Sequence, residues 1–197
     1  MISILNRNNQ LNEEKNCLSI TYPRTVNIIF GNYPYPDVIH NLMIAIKQNL
    51  NSDMENYTNV KGGMTDWNYF LDKPEFKNFI SYLINKHQTT HPFVFQYFLQ
   101  KMTIENCWGS EIKKGDSLNY HMHHTLHGIL YLSEGCDLIL PELNISITPE
   151  PGDYYIFPPE ILHGFETYKD DLNRYSLVFN INEKNSRFGF ENKLRSI

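Results

Sequence analysis

The chain has 197 residues, with 17 basic and 22 acidic side chains and a formal net charge of −5 at neutral pH. That length suits one domain with room for a core. The acidic balance argues against a nucleic-acid or anionic-membrane surface. No run approaches the roughly 18 apolar residues of a membrane span. Cys17, Cys107 and Cys136 are odd in number and lack CxxC spacing, which suits reduced thiols in a cytoplasm better than a disulfide frame or a zinc ribbon.

Met1 to Asn16 is polar, asparagine-rich and without a signal-peptide pattern, and reads as a loosely held terminus. Val26-Asn27-Ile28-Ile29-Phe30 is a β-branched run between Pro23 and Gly31 that predicts a strand. After Pro34 and Pro36, Val38, Leu42, Ile46 and Leu50 form one stripe with Ile39 and Met43 beside it, the pattern of a helix lying outside a sheet. Asn51 to Phe70 is polar and carries Gly62-Gly63. It reads as a surface loop with Trp67 tucked into the core; the alternative is a lid hinged on the two glycines over an active-site mouth. Pro74 opens a second helix, in which Phe76, Phe79, Ile80, Leu83 and Ile84 keep one face.

Pro92 to Ile104 predicts a strand, or a strand after a helical turn, and Thr103 to Lys113 a further strand. Strands are then expected at about Asn119–His123, His127–Leu132, Cys136–Leu140, Ile145–Thr148, Tyr154–Phe157, Gly164–Tyr168 and Arg174–Asn182, separated by turn signals such as Pro149-Glu150-Pro151-Gly152-Asp153. Two helices before such a series predict an α+β chain, mainly β, with helices on one face of a sandwich or barrel. Residues 1–197 read as a single domain, with 1–100 as a supporting part and 101–182 as the β core.

Five of the eight histidines fall between positions 121 and 163. His121 and His123 are two apart, and on a strand they would face one point. His163 follows Pro158-Pro159. Three imidazoles can hold one divalent transition metal, and thiolate-free ligation suits iron, cobalt, nickel, copper or zinc. Arg174 and Ser176 share a strand face beside Leu177, Val178 and Phe179. An inward arginine there needs an anionic partner, such as a carboxylate held bidentately; a rim position paired to Asp171 is the plainer alternative. Tyr120, Tyr131 and Tyr155 are candidates for an added hydrogen bond to a cosubstrate, Asn119 and Asn180 for lining the pocket, and His127 for support of a metal ligand.

His121-x-His123, then Gly152-Asp153 through Pro158-Pro159 to His163, then Arg174-x-Ser176, resembles the Fe(II)/2-oxoglutarate-dependent oxygenase superfamily. The likeness is greatest to its small prolyl-hydroxylase-like members of bacteria and phages, which Asn106-x-Trp108 and Phe179-Asn180 also fit. It covers about Asn106 to Ile181. The resemblance implies a double-stranded β-helix, a jelly-roll or cupin-like barrel with the metal in its mouth. It implies Fe(II) on His121, His123 and His163, and 2-oxoglutarate with its distal carboxylate on Arg174 and Ser176, with Tyr131, Asn119 and Asn180 as further cosubstrate contacts. Dioxygen would be consumed, and a C–H bond of a peptidyl, prolyl-like or small-molecule substrate hydroxylated. Such a protein would work in a cytoplasm, the host's if it is phage-encoded.

One departure matters: the superfamily usually carries His-x-Asp or His-x-Glu where this chain has His123. Either His123 is the third ligand, or it swings away and leaves an open two-histidine site such as halogenating relatives use for chloride, or a bulge brings in His124. The first is preferred, because an open site is normally made by a small residue. A cupin-type three-histidine metalloenzyme without 2-oxoglutarate, and a non-catalytic metal-binding barrel, are the competing functions. Arg174-x-Ser176 speaks against the first of these.

Overall fold

The fold is that of a computed structural model that describes residues 2–4, 10–12, 17–21, 25–56, 60–88, 102–135 and 137–183. The predicted strand from Pro92 is described only from Met102, and Cys136 lies outside the described residues. In chain order the strands are β1 (Ile2–Ile4), β2 (Gln10–Asn12), β3 (Cys17–Thr21), β4 (Thr25–Asn32), β5 (Val60–Lys61), β6 (Gly63–Met64), β7 (Met102–Ile112), β8 (Ser117–His121), β9 (Leu126–Tyr131), β10 (Leu138–Leu140), β11 (Ile145–Ile147), β12 (Asp153–Phe157), β13 (His163–Phe165) and β14 (Arg174–Glu183). The helices are α1 (Pro36–Gln48), between β4 and β5, and α2 (Pro74–Gln88), between β6 and β7. Neither helix is long and apolar enough to cross a membrane.

The strands form two antiparallel sheets. The larger runs β2-β3-β4-β12-β9-β14-β7-β6 and the smaller β1-β11-β10-β13-β8-β5. Where the terminus is described it is paired and not loose: Ile2–Ile4 pairs with Ile145–Ile147 and Gln10–Asn12 with Cys17–Ser19. Strands of three residues are too short to signal themselves and gain their place from edge hydrogen bonds, which composition does not reveal.

β14 explains how the large sheet is layered. Side chains alternate across a strand, and the two faces of β14 meet different layers. Leu177, Phe179 and Ile181 join a cluster with Ile39, Leu42 and Ile46 of α1 and Phe76, Phe79 and Leu83 of α2. Val178 faces the other way, into a cluster with Trp108, Ile129, Tyr131 and Phe157 of the large sheet and Leu138, Leu140, Ile145 and Ile147 of the small one. Arg174 and Ser176 share the phase of Val178 and thus point between the sheets.

Two glycines allow these layers to close. A Cβ at Gly109 would lie 2.3 Å from Ile46 Cγ1, so α1 rests directly on the backbone of β7. A Cβ at Gly128 would lie 2.2 Å from Phe179 Cζ, the ring of its cross-strand partner. Gly128→Ala is expected to destabilise the protein by ~1–3 kcal/mol through overpacking, read as a drop in thermal midpoint of roughly 2–4 °C per kcal/mol. An unchanged midpoint would contradict this packing.

Trp67 is not tucked into the core. It is 38% exposed and stands edge-on to the buried Trp108, with ring centroids 4.7 Å apart. Its own carbonyl accepts a hydrogen bond from Cys107 N–H, which holds the segment along β7.

Candidate metal centre

β8 and β13 are antiparallel neighbours, and their register makes His121 and His163 direct cross-strand partners. The pairing slips between His163 and Phe165, an irregularity of the kind that re-aims a side chain. His163 is the first residue of β13 (His163–Phe165), whereas the sequence predicted a strand starting at Gly164 and running to Tyr168. β8 ends at His121, so His123 does not reach its position by strand alternation as expected. Its backbone N–H instead donates to Pro159 O at 3.0 Å, which ties it to the Pro158-Pro159 turn. The ligand atoms of His121, His123 and His163 all lie within 4.8 Å of one another. His124 is exposed and stands outside this group.

The two strand-borne imidazoles are fixed in the form a metal needs. His121 Nδ1 donates to Asn119 O at 2.9 Å and His163 Nδ1 to Ile161 O at 3.0 Å. A carbonyl can only accept, so each Nδ1 carries the proton and each Nε2 keeps its lone pair. His123 Nε2 is buried without a hydrogen-bond partner, a costly state that a metal ion would relieve. These features fit a divalent metal held by His121, His123 and His163.

Burial keeps all these rings neutral. It pulls His123 down to about 3, with His163, His121 and His124 adding to the effect. It pulls His163 down to about 4, although the hydrogen bond to Ile161 O opposes it. His121 is lowered by burial, and His127 well below the usual value, chiefly by burial with His123 and His163 adding. Each folded pKa is below its unfolded value of roughly 6.5. As pH falls the unfolded chain takes up protons first, so stability is present above that value and is lost towards the folded pKa. The metal-free protein is expected to lose up to ~1.4 kcal/mol per pH unit for each such imidazole below about pH 6.5. Thermal midpoints in chelator between about pH 7.5 and about pH 5 would check it, and a flat profile would contradict it.

The histidines line a void between the two sheets. Arg174, 4% exposed, and Ser176, 2% exposed, line it too. The Arg174 guanidinium carbon lies 4.6 Å from the Phe165 ring centroid and 5.3 Å from that of Tyr131. The rim alternative, with Arg174 paired to Asp171, is not what is found: Asp171 is bonded to Lys114 at 2.7 Å. A Cβ on Gly135 would lie 2.6 Å from Arg174 Cδ, so this glycine shapes the channel for the arginine stem. Among the described residues no aspartate or glutamate lines the void.

Tyr131 is buried and lines the void. Tyr155 is packed in the core and Tyr120 is 45% exposed. Neither Asn119 nor Asn180 lines the void: Asn119 supplies the carbonyl that holds His121, and Asn180 Oδ1 accepts from His127 Nδ1 at 3.0 Å. The sequence reading missed the apolar lining. Phe165 follows His163 by two on β13 and Val178 follows Ser176 by two on β14, so strand alternation alone could have found them. Ile129 stands two from both His127 and Tyr131 on β9 and carries the same signal, whereas Leu138 does not.

No protein-family model and no curated protein sequence matches the chain. Solved structures do. A viral collagen prolyl hydroxylase from Paramecium bursaria Chlorella virus-1, in complex with 2-oxoglutarate, aligns with a TM-score of 0.56 and 13% identity, over 78% of this chain and 94% of that one. A prolyl-4-hydroxylase from Pseudomonas putida aligns with a TM-score of 0.58 and 14% identity, over 78% and 91%. HygX from Streptomyces hygroscopicus, solved with nickel and 2-oxoglutarate, aligns with a TM-score of 0.58 and 10% identity, over 80% and 83%. At such identities the likeness is one of fold: the chain has a mainly β, antiparallel architecture in common with prolyl hydroxylases and other 2-oxoglutarate-binding proteins.

Proposed function

We propose that this chain is a non-haem Fe(II)/2-oxoglutarate-dependent oxygenase of the small bacterial and phage type, a single-domain double-stranded β-helix acting in a cytoplasm. It hydroxylates a C–H bond of a peptidyl, prolyl-like or small-molecule substrate. The observation that carries this reading is the joint lining of one void by three lone-pair imidazoles and a buried arginine. A cupin-type three-histidine metalloenzyme has no use for that arginine.

His121, His123 and His163 hold the iron, and Arg174 with Ser176 holds the distal carboxylate of 2-oxoglutarate. When bound, the iron and 2-oxoglutarate would supply the activation of dioxygen that oxidises the substrate. The chain's own work is orientation and exclusion. Arg174 is pre-set against Phe165 and Tyr131, so its planar fork meets a carboxylate with little loss of freedom. Ser176 adds a hydroxyl two residues on, and Tyr131 offers its phenol from the neighbouring strand, where it is the register partner of Ser176. Ile112, Leu118, Leu138 and Val178 keep water out, which strengthens every charged contact inside. His123 is neutral where a carboxylate is usual, so the loaded site keeps one more unit of positive charge.

Anaerobic titration of the Fe(II)-loaded protein with 2-oxoglutarate tests this. A saturable visible metal-to-ligand charge-transfer band is expected. Iron bound with no band would favour the cupin-type alternative, and no iron bound would favour a non-catalytic barrel.

A further inference from the structure

His121 and His163 are each locked by an Nδ1–H bond to a backbone carbonyl two residues earlier. His123 has no such lock. Among the described residues no hydrogen bond holds its ring, and it lies beyond the end of β8. What it does have is a face to rest on. The His127 ring lies against it with centroids 3.7 Å apart and planes 16° from parallel.

His127 is itself held on every side. It sits on β9 opposite Phe157 of β12 and Asn180 of β14. Its Nδ1–H donates to Asn180 Oδ1 at 3.0 Å. The rings of Phe157 and Trp108 lie 5.3 Å and 6.4 Å away. His123 and His127 lie on either side of the bend between β8 and β9, and their two rings meet face to face. His127 is not a fourth ligand. Face-to-face rings send their in-plane lone pairs side by side, and only the other three imidazoles bring ligand atoms together.

We propose that His127, clamped by Asn180, is the positioning residue that holds His123 in its ligating orientation, by ring stacking in place of the backbone hydrogen bond that serves the other two histidines. This rests on the reading of the three histidines as a metal site. A neutral aromatic face also suits an imidazole made electron-poor by a metal.

Co(II) is the probe, read by its visible spectrum and by competition with a chelator, in wild type, His127→Leu, His127→Phe, Asn180→Ala, His123→Ala and His121→Ala. His127→Leu removes the flat face and is expected to weaken Co(II) binding by roughly 10–100-fold and to shift the spectrum towards that of His123→Ala. His127→Phe restores the face and is expected to recover most of the affinity. Wild-type affinity and spectrum in His127→Leu would overturn the proposal, as would a His127→Phe protein as weak as His127→Leu. The metal-free thermal midpoint of each variant is read first. Where His127→Leu does not fold, Asn180→Ala decides: a loosened clamp is expected to weaken Co(II) binding, and wild-type binding overturns the proposal. Failure of the underlying reading looks different, because wild type would then not bind Co(II), or His121→Ala would bind it as tightly as wild type.

Discussion

Arg174→Ala is expected to abolish the 2-oxoglutarate charge-transfer band at cosubstrate concentrations that saturate the wild type, while leaving iron binding intact. Arg174 is 4% exposed and faces the same void as the three imidazoles. Truncating one partner of a buried, hydrogen-bonded charge pair costs ~2–5 kcal/mol, which corresponds to a loss of roughly 30- to several thousand-fold in affinity. Arg174→Lys keeps the charge but loses the planar fork, so an intermediate loss is expected. Ser176→Ala removes a single hydroxyl, worth ~1 kcal/mol, and should weaken the cosubstrate by only about fivefold. Gly135→Ala reaches the same site from outside it. The new methyl would meet the arginine stem at 2.6 Å and push the guanidinium off its seat. It should weaken 2-oxoglutarate without changing iron affinity. Parallel titrations of iron and cosubstrate separate these effects, and an unaltered band in Arg174→Ala would dismiss the clamp.

His163→Ala is expected to show two linked losses. Metal affinity should fall on the order of 100-fold or more, since one of three ligands is gone and its loss exceeds that of a supporting residue. The acid sensitivity of the metal-free protein should ease at the same time. His163 is 3% exposed and held neutral with its pKa down at about 4. Its removal takes away one group that must stay uncharged in the fold, and so reduces the slope of stability against pH by up to ~1.4 kcal/mol per unit below about pH 6.5. Chelator competition and thermal midpoints across pH read the two effects separately. Weakened metal binding with an unchanged pH slope would show that His163 ligates but is not buried neutral.

The two results bear on residues that differ in how readable they were. Arg174, Ser176 and Val178 share a phase on a strand whose other phase, Leu177 and Phe179, packs under the helices. Period-two alternation conveys the shared face of Arg174 and Ser176 from sequence alone. The stripe of Phe76, Phe79 and Leu83 on α2 was equally plain, because helical periodicity over fifteen residues leaves little choice of face. The pairing of His121 with His163 across forty-two positions was only inferred from residue type, and the route by which His123 joins them was misread. The strand ends first, and the Pro159 carbonyl, far along the chain, sets the backbone at His123.

The sequence by itself determined the elements of β14 and the helices, the imidazole-rich and thiolate-free chemistry, and the shared strand face of Arg174 and Ser176. These follow from local periodicity and side-chain chemistry, which each residue carries wherever it lies. Only the tertiary structure decided that Ile2–Ile4 closes the small sheet on Ile145–Ile147, that Gly135 makes room for Arg174, and that His127 lies flat beneath His123. Those contacts depend on register, bulges and close approach between strands remote in sequence, and no local pattern records them.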